Sequence, residues 1–481
     1  MTKSYAASLV QAAAPSKCHF LAPQAHLAHP RTSSGGAHNF PAWPPAALAL
    51  FRRGPAPYSG LESRTPSFHP FNTPSHPMQV CVLGAGIVGL ATAYELHQRG
   101  MAVTVVDQAQ PGAGASGGNG AQLSYSYVQP LADAGIWRQL PKLLLSPQSP
   151  LKLRPQWDVH QWRWGVDFLR ACNRHTSEQS TRQLLALAAL SRHHFDAMLQ
   201  AEKLECDFST TGKLVLYDTP AALAAARRQM DLQQPWGSPQ EAVSATRCVE
   251  LEPALAHYQG RIAGAIHTPS ECAADCLKVC LGLQQRLAER GVRFVLGARV
   301  TGFAREGGRI VAARTSAGDV EAQQFVLALG SASHQAAQTL GFGLPVYPLK
   351  GYSITLDTTD APRTAPHVSV TDAARKVVFA RIGQRLRVAG MAELVGHDDH
   401  IPPARIQSLC EAARAVFPGC SDFGRLHPWT GMRPATPTGV PLVGPHTRAP
   451  DNLLLNTGHG ALGFTLAFGT AAQLAQRLAP A

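Results

Sequence analysis

Hydrophobic positions fall into two kinds of run along this chain. Gln79-Val80-Cys81-Val82-Leu83 is short and almost unbroken, the pattern of a strand covered on both faces. A helical stretch follows from about residue 87 to 99 and stops at Gly100, a good C-cap residue. Residues 102–106 are apolar again and end on Asp107, which completes a βαβ reading. Similar runs recur at 291–295, leading through Gly297 to Val300, at 325–330, and at 453–456 ahead of a C-terminal helix. Such runs suit a parallel sheet. The second kind alternates or is extended, at 212–217, 347–356, 376–379 and 385–391. Neighbouring strands separated by turns predict an antiparallel sheet. The two kinds interleave, so both domains are expected to be discontinuous, in an α/β architecture that is α+β overall.

Length and composition sharpen this. At 481 residues the chain exceeds one ordinary core. A hydrophobic content of 45% with 15% charged residues is that of a folded globular protein. No run reaches the roughly 18 apolar residues of a membrane span; the most apolar segment near the C-terminus, 461–475, is broken by Gly, Thr and Gln. The net charge is +12. A positive excess suits anionic partners such as a phosphorylated cofactor, a carboxylate substrate or an anionic membrane surface. No Lys/Arg cluster interleaved with aromatics points to nucleic acid.

Residues 1–77 hold 12 of the 37 prolines and no helical or strand period. Such a segment buries too little apolar surface to offset its ordering entropy, so disorder is expected. It reads as an acid-poor targeting peptide or, preferably, as a mis-assigned start, with the working chain beginning at Met78. Cys272, Cys276 and Cys280 recur every four residues, which predicts one buried helix face rather than a metal site. Ten cysteines without metal-ligand spacing suit reduced thiols in a cytoplasmic setting. Trp157, Trp162, Trp164 and Phe168 lie among basic residues and are expected as a core-facing stripe, with a membrane-surface patch as the alternative.

The candidate chemistry begins where the first strand, with Val82, runs into Gly84-Ala85-Gly86-Ile87-Val88-Gly89, a G-x-G-x-x-G pattern. Gly84 makes the tight turn, Gly86 lets a pyrophosphate approach the backbone, and Gly89 lets helix and strand pack closely. The helix N-terminus offers free N–H groups and a partial positive charge. Asp107, 23 residues after Gly84, is placed to accept hydrogen bonds from a ribose diol. The fingerprint alone leaves NAD and FAD open. The small-residue loop 112–122, with Ser116, Asn119, Ala121 and Gln122, favours FAD if its amides and hydroxyls wrap an extended cofactor; an ordinary flexible linker is the other reading. Glycines before the last helix, at Gly458, Gly460 and Gly463, make a second amide-lined turn.

Four stretches carry a family resemblance: VCVLGAGIVGLATAYEL (80–96), ASGGNGAQLS (115–124), YPLKGYSIT (347–355), and WTGMRPATPTGVPLVG (429–444) with LNTGHGALGFTLAFG (455–469). They resemble the D-amino-acid oxidase superfamily, and most closely its D-amino acid dehydrogenase branch. The loop departs from the family's commoner S-x-A-N-A-G-Q form in having Gly118-Asn119-Gly120-Ala121-Gln122. The resemblance implies a Rossmann-type FAD-binding domain with a parallel sheet and an interleaved, mostly antiparallel substrate domain. The expected flavin-binding segments are 78–204, 248–340 and 425–481, and the substrate segments are 205–247 and 341–424. It places the backbone of Val300 at the adenine end of FAD, Gly330 where the dinucleotide passes, and the turn of His459, Phe464 and Thr465 against the isoalloxazine. His459 reads as a catalytic or, more simply, a packing residue. The Arg of the G-x-R-P motif, Arg433, is implied to bind the substrate carboxylate; an Arg paired to a nearby acid is the alternative. Tyr352 and Lys350 are further pocket candidates, and Arg381 and Arg387 are second choices for the clamp. The implied activity is oxidative deamination of D-amino acids to 2-oxo acids and ammonia. A hydride passes to flavin N5 and electrons pass on to a quinone-type acceptor, with possible peripheral membrane contact. A glycine- or sarcosine-type oxidase that uses oxygen is the alternative.

Overall fold

In the computed structural model, residues 77–137, 151–361 and 363–478 are described. The extension 1–77 therefore lies, except for Pro77, outside the described residues. The apolar runs assemble into one six-stranded sheet. Gln79–Leu83 lies between Ala102–Asp107 and Gln324–Leu327, with Arg293–Leu296 and Leu453–Thr457 flanking them, all parallel. Leu442–Pro445 closes one edge antiparallel. The strands read as unbroken because alternate side chains enter two different cores. Val80, Val82, Val103 and Val105 pack under the helices Ile87–His97, Arg174–Glu202, Cys276–Glu289 and Gly463–Leu478. Cys81, Leu83 and Val106 pack with Phe303, Ile310 and Val320 of a three-stranded antiparallel sheet, Val300–Glu306, Arg309–Thr315 and Gly318–Glu321.

The alternating runs form the second large sheet. Its order is Leu426–Ala435, Tyr347–Asp357, Arg385–Leu394, Val377–Ile382, Ser369–Asp372, Lys213–Tyr217, Gly264–Thr268 and Glu241–Val243. Leu151–Leu153 pairs with Arg385–Leu394 as a ninth strand. Only that pairing and the one between Ser369–Asp372 and Lys213–Tyr217 are parallel. Helix Pro403–Val416 packs Leu409, Ala413 and Val416 against Ile354, Val388 and Phe379 of one face.

Three expectations need correction. Strands Gly264–Thr268 and Leu426–Ala435 belong to the nine-stranded sheet, although the sequence reading put both in flavin-binding segments. Their partners lie 22 to 88 residues away, and periodicity reports a strand but not its neighbour. Cys272 is not on the cysteine helix: it sits in strand Cys272–Ala273, and Asp275 then caps the helix by accepting from the N–H groups of Leu277 and Lys278. The aromatic stripe is split. Trp164 is buried and stacks on Phe168 with centroids 5.3 Å apart, whereas Trp157 and Trp162 are exposed. Trp157 precedes the helix Val159–Ala171, and Trp162 lies two positions from Trp164, on the opposite side of a 3.6-residue turn.

Phe195 of helix Arg174–Glu202 is 1% exposed and meets Phe464 and Phe468 of the last helix edge-on, at 5.8 and 5.3 Å. Phe195→Ala is expected to cost about 3–5 kcal/mol, read as a lower urea midpoint with an unchanged m-value; a midpoint equal to wild type would show that this helix pair does not depend on the ring.

Candidate functional site

Both sheets border one cavity of about 1240 Å³, larger than the roughly 300–1,000 Å³ of ordinary small-ligand sites. At one end lies the glycine fingerprint. Gly84 has φ +114°, and a Cβ there would sit 2.4 Å from the Ala328 carbonyl oxygen, so only glycine fits. Helix Ile87–His97 starts directly after, and the Ile87 N–H donates to Ser116 Oγ at 3.0 Å, which fixes the small-residue loop to the helix N-terminus. The Asp107 carboxylate accepts from the N–H groups of Ala85 at 2.7 Å and Ala109 at 2.9 Å. Burial raises its pKa and these donors pull it back.

Most of the sequence-predicted cofactor residues line this cavity. Gly84, Gly86, Ile87, Val88, Asp107 and Ser116 do so at the fingerprint end, and Val300 and Gly330 beside it. Asn119, Ala121 and Gln122 line it along the loop, and His459, Gly460, Gly463, Phe464 and Thr465 at the C-terminal turn. Val82, Ala85, Gly89 and Gly458 do not line it. They lie behind the wall: Val82 in the sheet core, Ala85 bound to Asp107, Gly89 against Gly84, and Gly458 beside Thr436.

Loop residues 118–124 cross the nine-stranded sheet strand by strand. Ser353 Oγ donates to the Gly118 carbonyl, Arg387 Nη1 to that of Asn119, Gln122 Nε2 to Val370 and Phe379 carbonyls, and Lys213 Nζ to Ser124 Oγ. Four strand steps separate Ser353 from Lys213, about 19 Å at ~4.8 Å each, and the reach of Arg387, Gln122 and Lys213 lets the turned loop meet each strand. Its departure from the commoner loop form has a local reason. A Cβ on Gly118 would lie 2.1 Å from the Trp429 ring, which also occupies the space beside Gly431. Ala121, where the commoner form has glycine, is held at φ +59°, and its N–H donates to Asn119 Oδ1.

Arg433 stands on strand Leu426–Ala435, in the cavity wall. It is half-buried by accessible surface, but it is shielded from bulk solvent and its surface faces the cavity. Burial pushes its pKa down to about 10, so it remains a cation at neutral pH. No carboxylate pairs with it among the described residues; Nη1 donates to the Met391 carbonyl at 2.7 Å. Met391 has φ +65°, a strained conformation for a side chain of this size. A Cβ on Gly351 would lie 2.4 to 2.5 Å from the guanidinium atoms, so that strand must carry glycine for Arg433 to pass.

The other candidates divide. Tyr352 lines the cavity, and its hydroxyl donates to Glu393 Oε2 at 2.7 Å. Burial, then the Glu393 carboxylate, push its pKa up, so it is a neutral phenol. Lys350 does not line the cavity: it points to the face opposite Leu349 and Gly351, where its ammonium binds the His400 carbonyl and Asp398. Arg381 is also absent from the lining, and Arg387 is engaged with the loop. His459 Nε2 meets Thr470 Oγ1 at 3.0 Å, and burial holds its pKa near about 3, so it is a neutral packing group. Met391, Gly351, Trp429, Asn456 and Lys213 were missed by sequence reasoning. Asn456 is fully buried and lines the cavity; its Nδ2 donates to Thr92, while Oδ1 has no partner among the described residues. The asparagine within LNTGHG was the one available signal.

Residues 79–477 match the family described as DAO, FAD dependent oxidoreductase. Among curated proteins, D-amino acid dehydrogenase 2 of Ralstonia nicotianae is 48% identical over 84% of this chain and 96% of its own length. D-amino acid dehydrogenase 2 of Pseudomonas aeruginosa is 46% identical over 83% and 94%. Of solved structures, glycine oxidase from Geobacillus kaustophilus superposes with a TM-score of 0.65 at 20% identity, over 84% of this chain and 95% of its own. L-proline dehydrogenase from P. horikoshii gives 0.64 at 16%, over 84% and 93%. At these identities the two structures speak to the fold alone.

The cavity fits FAD. Gly86 at the fingerprint leaves the backbone and helix N-terminus open to it, the volume exceeds that of an ordinary small-ligand site, and buried Asn456 Oδ1 in its wall has no partner among the described residues. Gly86→Ala, whose Cβ would meet only Ser116 Oγ at 3.3 Å on the cavity wall, is expected to purify folded but with a several-fold lower ratio of visible flavin absorbance to protein absorbance; full flavin content in that variant would remove the fingerprint from the binding site.

Proposed function

The chain belongs to the DAO family of FAD-dependent oxidoreductases, and from that premise we propose that it oxidatively deaminates D-amino acids to 2-oxo acids and ammonia, with Arg433 as the carboxylate clamp. The observation that carries the proposal is a cavity-facing guanidinium with no acidic partner among the described residues, fixed by Met391 and admitted by Gly351. The substrate class is supported by the D-amino acid dehydrogenases at 48% and 46% identity.

Gly84, Gly86 and the N-terminus of helix Ile87–His97 hold the pyrophosphate, and Asp107 takes the ribose. Val300 and Gly330 lie along the adenine half. Ser116, Asn119, Ala121 and Gln122 line the path toward the ring, with the turn of His459, Gly460, Gly463, Phe464 and Thr465 beside it. Bound FAD supplies the acceptor for the hydride that leaves the α-carbon. Arg433 keeps donors free beyond the one given to Met391, and these grip the substrate carboxylate in two-point fashion. Away from bulk solvent, that ion pair is stronger than it would be in water. The substrate amine reacts as the free base, its lone pair forming the C=N bond as the hydride departs. No side chain needs to act as base: Tyr352 is committed to Glu393, and His459 is neutral. Water then hydrolyses the imino acid.

The dehydrogenase relatives support an acceptor other than oxygen, which we assign as a quinone. No helix among the described residues is long and apolar enough to cross a membrane. Exposed Trp157, Val159 and Trp162 beside exposed Lys152, Arg154 and Arg163 support peripheral contact with an anionic membrane face on the cytoplasmic side.

Arg433→Ala is expected to raise KM for D-amino acids by on the order of 10²–10³-fold, from the roughly 2–5 kcal/mol of a buried charge contact, with FAD content unchanged. Wild-type KM and kcat in this variant would dismiss the clamp. Stopped-flow traces of the substrate-reduced wild type should show fast reoxidation by a soluble quinone and slow reoxidation by air; the reverse order would replace the quinone with oxygen.

A further inference from the structure

A second buried cation faces the same cavity. Lys213 is 2% exposed and lines the cavity with Ser124 and Tyr127. Its ammonium donates to Ser124 Oγ at 2.7 Å and lies 4.4 Å from the Tyr127 ring centroid. The described residues provide no other hydrogen-bond partner and no carboxylate within ion-pair distance, so donor capacity is left over. A buried ammonium in that state costs free energy unless something in the cavity answers it.

The surroundings say what does. Ser124 also donates its N–H to Thr465 Oγ1 at 3.2 Å, and Thr465 sits in the first turn of helix Gly463–Leu478, at the turn assigned above to the ring of FAD. The chain Lys213–Ser124–Thr465 thus ties the cation to that turn. Arg433 stands five strands from Lys213, and its guanidinium, which crosses Gly351 to reach the Met391 carbonyl, still lies three strands away, about 14 Å along the sheet. A single small amino acid held by Arg433 does not reach Lys213, whereas an extended dinucleotide does.

Glu271 is the neighbouring anion. Its carboxylate accepts from the N–H groups of Tyr125 and Ser126, both at 2.7 Å, and is fully buried. Burial lowers the pKa of Lys213 and raises that of Glu271, and each charge pulls the other back. Tyr125, Tyr127, Arg192, Asp196 and Cys272 are the other ionisable groups around the pair.

We propose that Lys213 is a fixed cation set against the bound flavin, favouring its two-electron reduction. The inference rests on the FAD assignment and concerns a residue that the substrate clamp does not use. The charge balance is simple. The α-C–H bond breaks, its electron pair and hydrogen pass to the cofactor as hydride, and the amine lone pair closes the C=N bond. The cofactor gains one negative charge, which the ammonium stabilises in a site of low dielectric; the extra N–H proton of the iminium leaves to water.

The test is the midpoint potential of the holoenzyme's flavin, equilibrated against a reference dye and compared at equal flavin loading. Lys213→Met is expected to lose roughly tenfold in the equilibrium for reduction, ~30 mV for a two-electron couple, while Lys213→Arg stays near wild type. Glu271→Gln, which removes the opposing charge, should move the potential the other way, and it keeps the test alive if the methionine variant does not fold. Unchanged potentials in the loaded Met and Gln variants would overturn the proposal. So would a Met variant whose only change is a raised KM for an acidic substrate such as D-glutamate, which would make Lys213 a reader of substrate side chains. Bleaching of wild-type flavin by D-amino acids tests the function itself and does not depend on these outcomes.

Discussion

The structure depends on keeping bulky atoms out of a few backbone contacts between its two sheets. The six-stranded sheet presents its strand ends, and the nine-stranded sheet stands against them with a cavity between. Segment 116–124 bridges the two, anchored at one end by Ser116 on the first helix and at the other by Lys213. Its carbonyls and its Gln122 amide answer polar groups on successive strands. That ladder, with the bridge between Ala435 and His459, sets the two sheets against each other although they are drawn from interleaved stretches of chain.

Within this frame the polar chemistry is spare. Among the described residues, a guanidinium and an ammonium occupy the cavity wall with no carboxylate at ion-pair distance, although Glu271 acts on Lys213 from farther off. Each is instead held by a single neutral oxygen, the Met391 carbonyl or the Ser124 hydroxyl. A neutral partner orients a cation without cancelling it. The strained backbone at Met391 fits the same logic, since its carbonyl is aimed at Arg433 by a conformation with its own energetic cost.

What the sequence made legible follows from which features are local. The βαβ unit, the glycine fingerprint and the two kinds of strand were readable because each is written in consecutive residues. The family resemblance brought Arg433 forward. Strand partners were not readable, so Gly264–Thr268 and Leu426–Ala435 were assigned to the wrong sheet. Lys350 lies off the cavity because strand side chains alternate: Leu349, Gly351 and Ser353 take the cavity face, while Lys350 shares the buried opposite face with Tyr352, its ammonium 5.3 Å from that ring. Lys213 looked like one more strand lysine, because its importance comes from Ser124, a loop residue 89 positions earlier.

Trp429 illustrates what such packing means for the history of the sequence. Its indole fills the space that side chains at both Gly118 and Gly431 would otherwise take. Three positions, two of them more than 300 residues apart, are therefore bound into one steric unit. Neither glycine is free to drift to alanine while the indole remains, and a smaller residue at 429 would leave a hole that alanine at either glycine fills only in part. Across descendants of this chain, these sites should change together or not at all, and a lone alanine at 118 should mark lineages in which the tryptophan has already gone.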